Sequence, residues 1–331
     1  MTDMKKYILK KASTEVAAPD PARQFRINYR NELNPAQYAA VTSVNGPHLI
    51  IAGAGTGKTR TITYRVAYLV ELGVKPESIL LLTFTRRAAQ EMLRRASMLL
   101  DARCEKVAGG TFHSFANLIL RQYAPLVGFD SSFSILDQSD AEDVVNLLRT
   151  KLKLDTRERR FPRKQTLYDI FSRAVNTSTP LKDILHDEYP HFEGLLEEIA
   201  ALQRAFEEYK ARHNLMDYDD LLLYLRSLLR DHDRVRRSLA DRYTYLMVDE
   251  FQDTNRIQAD IVRLLSQQYG NVMVVGDDSQ AIYSFRGATV RNILSFPEDY
   301  NGCTVIKLEE NYRSTQPILN LTNEILRRAR A

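Results

Sequence analysis

Two stretches of this sequence hold side chains whose types and spacing suit phosphate chemistry. The first, "AGAGTGKTR", sets Gly53, Gly55 and Gly57 at alternate positions immediately ahead of Lys58 and Thr59. Bare backbone of this kind lets successive N–H groups converge on an anion, and a helix starting at the lysine aims its positive end at the same point. The turn Ala54, Gly55, Thr56 and Gly57 is therefore a candidate cradle for the phosphates of ATP. Lys58 adds a point charge to it, and the Thr59 hydroxyl suits Mg2+. The template G-x-x-x-x-G-K-[ST] is met except at its first glycine, where Ala52 stands. The second stretch, "LMVDEFQD", is an apolar run that ends in two carboxylates. Asp249 suits Mg2+ and Glu250 suits the activation of water. By itself the pair also reads as a solvated acidic strand end; together with the glycine turn it reads as the catalytic part of an ATPase.

Such groups need elements that hold them. The runs "HLIIAG", "SILLLTFT", "YTYLMVDE", "NVMVVGDD" and "CTVIKLEE" are short, rich in β-branched residues or leucine, and end in polar or glycine turns, as buried parallel strands do. Between the first two, "KTRTITYRVAYLVELG" places Ile62, Val66, Leu69 and Val70 on one helical face and stops at Gly73. From residue 116 to 212 the strand signal gives way to helical patterns such as "AEDVVNLLRTKLKL" and "FEGLLEEIAALQRAFEEYK". The pattern predicts an α/β fold, a parallel sheet interrupted by an all-helical insertion.

A chain of 331 residues with 44% hydrophobic content is long enough for a sizeable core. Lys plus Arg exceed Asp plus Glu by 46 to 42, and a net +4 permits a polyanionic partner without demanding one. The N-terminus lacks a secretory apolar core and no run approaches membrane-spanning length. With Cys104 and Cys303 far apart in sequence, a reducing cytoplasm and no membrane partner are expected. There is no tryptophan, so stacking on a base must use tyrosine or phenylalanine.

Eight stretches, "LNPAQYAAV", "AGAGTGKTR", "LLTFTRRAAQEM", "GTFHSF", "MDYDDLL", "MVDEFQDTN", "GDDSQAIYSFRGA" and "LEENYRS", occur in the order found in superfamily 1 DNA helicases of the UvrD/Rep/PcrA type, which the sequence resembles from residue 33 to 314. The resemblance implies a RecA-like P-loop NTPase sheet in two parts, residues 31–115 and 213–331, after an N-terminal extension over 1–30. The helical insertion, 116–212, takes the place of domain 1B. It also implies an ATP-driven motor that moves 3′ to 5′ on single-stranded DNA, works at single-strand/duplex junctions and meets repair or replication proteins. On the same ground Gln37 reads adenine, Tyr312 stacks on it, Arg60 and Arg313 contact phosphates, and Gln280 couples the γ-phosphate to DNA. An amide suits adenine because it both donates and accepts. Ordinary readings stay open beside these: Gln37 solvated, Tyr312 in the core, the arginines paired with acidic neighbours.

For DNA the resemblance implies Phe84, Thr85 and Arg86, then His113 and Ser114, then Tyr283, Phe285 and Arg286. Rings that stack on bases and cations that track phosphates grip a single strand without reading its sequence. Phe84 as strand core and His113 as a helix cap are the competing readings. Relatives often carry Trp where Phe285 stands and Arg where Ser284 stands, which leaves the strength of translocation open. Residues 149 to 164, "RTKLKLDTRERRFPRK", hold eight basic side chains against Asp155 and Glu158, either a solvated face or a phosphate contact.

The resemblance further implies a second RecA-like domain after "NYRS" that lends an arginine to the γ-phosphate. Because the chain stops at Ala331, half a motor is expected, able to bind nucleotide but poor at turnover. Two other functions remain in view: a nucleotide-gated module that remodels a protein partner such as RNA polymerase, and the helicase subunit of a nuclease complex.

Overall fold

The computed structural model describes residues 24–154, 161–280 and 288–329. Eight strands are present among them: β1 (His48–Ala52), β2 (Ile79–Thr83), β3 (Ala108–Thr111), β4 (Ser134–Ile135), β5 (Leu215–Met216), β6 (Tyr245–Val248), β7 (Val272–Gly276) and β8 (Thr304–Leu308). Six of them form one sheet in the order β3-β2-β6-β7-β1-β8, with every pairing parallel. Alternate side chains enter two different cores. Leu49, Leu80, Leu82, Leu246, Val248, Val272 and Val274 pack on one face, and Ile50, Ile79, Leu81, Met247, Met273 and Val275 on the other. Burial on both faces explains why these strands read as unbroken apolar runs.

One face is covered by the helices Pro35–Thr42, Lys58–Glu71 and Arg86–Leu99. The helix Lys58–Glu71 is buried from Thr61 to Val70 on all sides, a wider burial than the single face expected from its periodicity. The extra cover comes from before residue 35: Phe25 stacks on Tyr68 with ring centroids 5.2 Å apart, and Tyr29 meets the same ring edge-on at 5.0 Å. Residues 25–29, expected to belong to a polar extension, are thus packed against the domain. The helix ends as expected, with Gly73 at φ +91 donating to the Val70 carbonyl.

The strand β3 is absent from the expected set. Its sequence "AGGT" carries no apolar run because it lies at the sheet edge under a close-packed helix. A Cβ at Gly109 would stand 2.7 Å from Leu93 Cδ1, so the strand signal gives way to glycine.

The helices Gln138–Lys151, Lys164–Thr177, Leu181–Glu188 and Leu196–Arg212 share a separate core that includes Val145, Leu167, Phe171, Leu202 and Phe206. The helix Phe112–Tyr123 instead packs its Phe115, Ile119 and Leu120 with the sheet. The chain leaves for the helical unit through β4 and returns through β5, which pair in parallel, Ser134 with Leu215 and Ile135 with Met216. This gives a narrower unit than residues 116–212, and one not wholly helical, since two-residue strands leave no periodic trace in a sequence.

Candidate nucleotide and DNA site

In a parallel sheet all strands end on the same edge, and loops at that edge can meet. The glycine turn follows β1, and the segment 309–314 follows β8, its neighbour. Asn311 Nδ2 donates to the Ala54 carbonyl (2.6 Å), the Tyr312 N–H donates to the Gly55 carbonyl (2.9 Å), and Gln37 Nε2 donates to the Thr56 carbonyl (3.0 Å). Three successive carbonyls are therefore held by protein donors, and the opposite side of a trans peptide is its N–H side. Gly55 and Gly57 are required here. Both have positive φ, +81 and +91, and a Cβ would meet Arg313 Cβ at 2.6 Å from the first and Gln37 Nε2 at 2.7 Å from the second. The helix Lys58–Glu71 starts without a side-chain cap and without an acidic residue in its first turn, so its positive end is left for a ligand.

Lys58 Nζ donates to Glu250 Oε2 at 2.8 Å, which joins the glycine turn after β1 to the acidic turn after β6. Glu250 sits in the left-handed region at φ +51, a conformation that costs a non-glycine residue about 1–3 kcal/mol and concentrates at functional sites. Asp249 beside it is buried, and its Oδ1 has no hydrogen-bond partner among the described residues. Burial, with the Glu250 charge second, pushes the Asp249 carboxyl up to about 7. Burial likewise pushes Asp253 up to about 6, again with Glu250 as the second cause. An unpaired buried carboxylate oxygen at the end of a phosphate cradle fits a hard cation. Among the described residues no group of three or more His, Cys, Asp or Glu side chains is placed to hold a metal.

Gln252 was not singled out in the sequence, yet it ties the site together. It is buried, its Nε2 donates to Glu250 Oε2 (2.9 Å) and Asp253 Oδ2 (3.3 Å), and its Oε1 accepts from the Asp277 N–H (3.0 Å) after β7. Gln280 Nε2 donates in turn to Asp277 Oδ2 (2.5 Å). The only sequence signal for Gln252 was its place between Glu250 and Asp253 in "DEFQD". Arg65 was missed as well. Fully buried, it donates to the carbonyls of Ala40, Ser43 and Val44 and so fastens the helix that carries Gln37 onto the helix that carries Lys58. An arginine inside a helical run carries no such message in sequence.

The residues implied for adenine and phosphate are gathered only in part. Gln37 is buried, not solvated, and its Oε1 accepts from the Asn34 N–H (3.4 Å) in a capping box. Tyr312 is 63% exposed, not core, and its hydroxyl accepts from Asn34 Nδ2 (2.8 Å) and donates to Glu310 Oε2 (2.7 Å). Arg60 turns away from the cradle. It donates to the Glu32 carbonyl (2.8 Å) and carboxylate (3.2 Å) and lies over the Tyr64 ring at 4.7 Å, the paired reading left open above.

Of the residues implied for DNA, two groups follow β2 and β3, adjacent strands at the far end of the same edge. Phe84 is 42% exposed and so is not strand core. The Thr85 hydroxyl accepts from the Ala88 N–H (3.1 Å) and caps the helix Arg86–Leu99, whose first turn contains Arg86 and Arg87 and no acid. Cations at the positive end of a helix oppose its dipole, an arrangement that gains from a bound anion. Ser114, not His113, completes the helix cap, with its Oγ accepting from the Thr111 N–H (2.9 Å) and donating to the Thr111 carbonyl (2.8 Å). His113 meets the Tyr218 ring edge-on at 5.8 Å, and burial pushes it down to about 4, which keeps it neutral. Tyr283, Phe285 and Arg286 lie outside the described residues, as does the middle of the basic stretch, 155–160. In the rest of that stretch Arg149 donates to the Pro162 carbonyl (3.1 Å) and Lys164 pairs with Asp143 (2.5 Å), whereas Lys151, Lys153 and Arg163 are exposed. Among the described residues no helix is long and apolar enough to cross a membrane.

Comparison with known proteins agrees with this geometry. Residues 33–301 match the model of the UvrD/REP helicase N-terminal domain. A Staphylococcus aureus protein named ATP-dependent DNA helicase PcrA is 36% identical over 298 residues, covering 90% of this chain and 40% of the relative. A Staphylococcus epidermidis protein of the same name is 36% identical over 296 residues, 89% of this chain and 40% of its own length. The chain thus spans about two fifths of the curated relatives it matches. A parallel sheet whose one edge joins Lys58 of the glycine turn to an acidic turn, in a sequence matched over most of its length, identifies this chain as a member of the UvrD/REP helicase N-terminal domain family.

Proposed function

We propose that the chain is the ATP-binding and DNA-gripping part of a motor that hydrolyses ATP to move 3′ to 5′ along single-stranded DNA. The observation that carries this reading is the Lys58–Glu250 contact at 2.8 Å beside the unpartnered Asp249 Oδ1. In this reading Lys58 is the phosphate-binding cation, Glu250 the base for water and Asp249 a metal ligand, and their proximity at the sheet edge supports it. The similarity to proteins named as ATP-dependent DNA helicases supports it.

In this reading the glycine turn and the helix start bind the phosphates, while Gln37 and Tyr312 flank the adenine. Thr59 and Asp249 would hold Mg2+, which supplies neutralisation of phosphate charge. Lys58 exchanges Glu250 for phosphate oxygens when ATP enters. That exchange frees a Glu250 oxygen to accept a proton from water, with Gln252 still holding the carboxylate in place. Gln280, tied to Asp277, senses the γ-phosphate. Phe84, Thr85, Arg86, His113 and Ser114, with Tyr283, Phe285 and Arg286, form the track for the single strand. Junctions with duplex DNA and repair or replication proteins are the natural partners of such a motor, and a cytoplasmic site of action fits it.

Anisotropy titration of labelled oligonucleotides against this chain tests the DNA side. Binding should fall steeply with salt and vary little with base composition, and Arg86→Ala should lower the salt slope by about one. Salt-independent binding, or none, would overturn the reading.

A further inference from the structure

Thr254 and Asn255 stand where three parts of the molecule meet. On one side they are joined to the acidic turn by short bonds: the Asp253 N–H donates to the Glu250 carbonyl (2.9 Å), and the Thr254 Oγ1 (2.6 Å) and N–H (3.2 Å) donate to the Phe251 carbonyl. On the second side they hold the segment that follows the aromatic motif. The Thr289 N–H donates to the Thr254 carbonyl (3.2 Å), Asn292 Nδ2 donates to the carbonyls of Thr254 (2.9 Å) and Asn255 (3.2 Å), and Asn255 forms an antiparallel bridge with Ala288. On the third side Asn255 Nδ2 donates to Asn176 Oδ1 (2.6 Å), on a helix of the inserted unit. Asn176 Nδ2 then donates to Asp219 Oδ1 (2.7 Å) and to Ser172.

We infer that Asn255 and Asn176 are positioning residues through which the state of the nucleotide site is passed to the DNA-gripping parts of the chain. The inference rests on the function proposed above. The chain of bonds has a fixed direction. Asn255 must donate, because its Oδ1 already accepts from the Gln258 N–H (2.9 Å) as the cap of the next helix, and the carboxylate of Asp219 must accept. The Asn176 amide between them can point only one way. The nitrogen and the oxygen of both amides are engaged, so a movement of the acidic turn at Glu250 is carried along the link unless one of its bonds breaks. It must move the helix Lys164–Thr177 and the segment 288–292 together, or break the link.

The direction of the bonds supplies the test. Asn255→Asp keeps the helix cap but puts acceptors at both ends of the Asn176 amide. Asn255→Asp combined with Asp219→Asn reverses the direction and gives the three side chains of the link matched donors and acceptors again, at the cost of the Asn176 bond to the Ser172 carbonyl. Asn176→Ala removes the link with little surface disturbance. Affinity of a labelled single-stranded oligonucleotide would be measured on this chain with and without saturating Mg2+ and a non-hydrolysable ATP analogue. Nucleotide affinity without DNA should stay within about twofold of the parent in all variants, as for separated sites. The effect of nucleotide on DNA affinity, expected at roughly fivefold or more in the parent, should drop below about twofold in Asn176→Ala and Asn255→Asp and return in the double variant. Full coupling in the two single variants would overturn the inference, as would a parent that binds both ligands without coupling, or a double variant that folds but stays uncoupled. A parent that binds neither ligand would instead overturn the proposed function itself.

Discussion

The Lys58–Glu250 contact makes a prediction with two opposite signs. Lys58 is 10% exposed and Glu250 33% exposed, with 2.8 Å between Nζ and Oε2. At an effective dielectric of about 20 the gross attraction is about 6 kcal/mol. Desolvation of the lysine and solvent screening at the glutamate cancel most of it, leaving about 1.5–3 kcal/mol, the usual net value of a charged hydrogen bond. In the proposed function ATP displaces this contact and replaces it with one to phosphate. Removing the lysine, as in Lys58→Ala, should therefore weaken binding of a fluorescent ATP analogue roughly 10- to 150-fold. Removing only the competitor's charge, as in Glu250→Gln, leaves a neutral hydrogen bond to break. ATP binding should then tighten by about 1 kcal/mol, about fivefold, while hydrolysis slows. A thermal melt of each variant guards against misfolding, since Lys58→Ala leaves the Glu250 charge near Asp249 and Asp253 with the neutral Gln252 amide as its donor. Equal affinity for Lys58→Ala and parent, or weaker binding by Glu250→Gln, would refute the reasoning.

Asp249→Asn should remove the dependence of nucleotide affinity on Mg2+. Without ligand the same change should stabilise the chain by about 0.5–2 kcal/mol, because it replaces an unpaired buried charge with a neutral isostere; a lower melting temperature would contradict this. Lys210→Met concerns the base of the inserted unit, where the lysine bonds Asp217 (2.7 Å) and Asp220 (2.6 Å) with all three side chains buried. The two carboxylates left unpaired should cost about 3–5 kcal/mol, read by urea denaturation. Burial, with the Asp217 charge second, raises both Asp219 and Asp220 above the ordinary carboxylate range. Acids whose folded pKa is raised destabilise the fold as they ionise, so the loss should be larger at about pH 8 than at about pH 5. A loss independent of pH would show that these carboxylates do not carry it.

Much of this protein was legible in its sequence. Local chemistry determines the glycine turn, Lys58 and the Asp249–Glu250 pair, because the residue types that suit phosphates, a metal and water sit together in short stretches. Unbroken apolar runs determine four of the six strands of the main sheet, β1, β2, β6 and β7, because burial on both faces leaves no other pattern, whereas β8 was legible from "CTVIKLEE" although it is a mostly exposed edge strand. The sixth, β3, is hidden because close packing against Leu93 favours glycine where a strand would otherwise show an apolar residue. Sequence also could not tell how the strands are ordered. The order β3-β2-β6-β7-β1-β8 divides one sheet edge into an end at β1 and β8 that carries the glycine turn and a far end at β2 and β3, with Asp249, Glu250 and Gln280 between them. Only tertiary structure decided which partner each polar side chain takes. Gln252 holds Glu250, Arg60 turns to Glu32, Arg65 fastens a helix through three carbonyls, and Asn255 reaches the insertion. Those choices depend on hydrogen bonds between residues as much as 278 positions apart, as Asn34 and Tyr312 are (2.8 Å). A hydrogen bond is directional and short, whereas sequence patterning records only which residues avoid water, so it fixes the layers of the fold and leaves the polar partners to the packed structure.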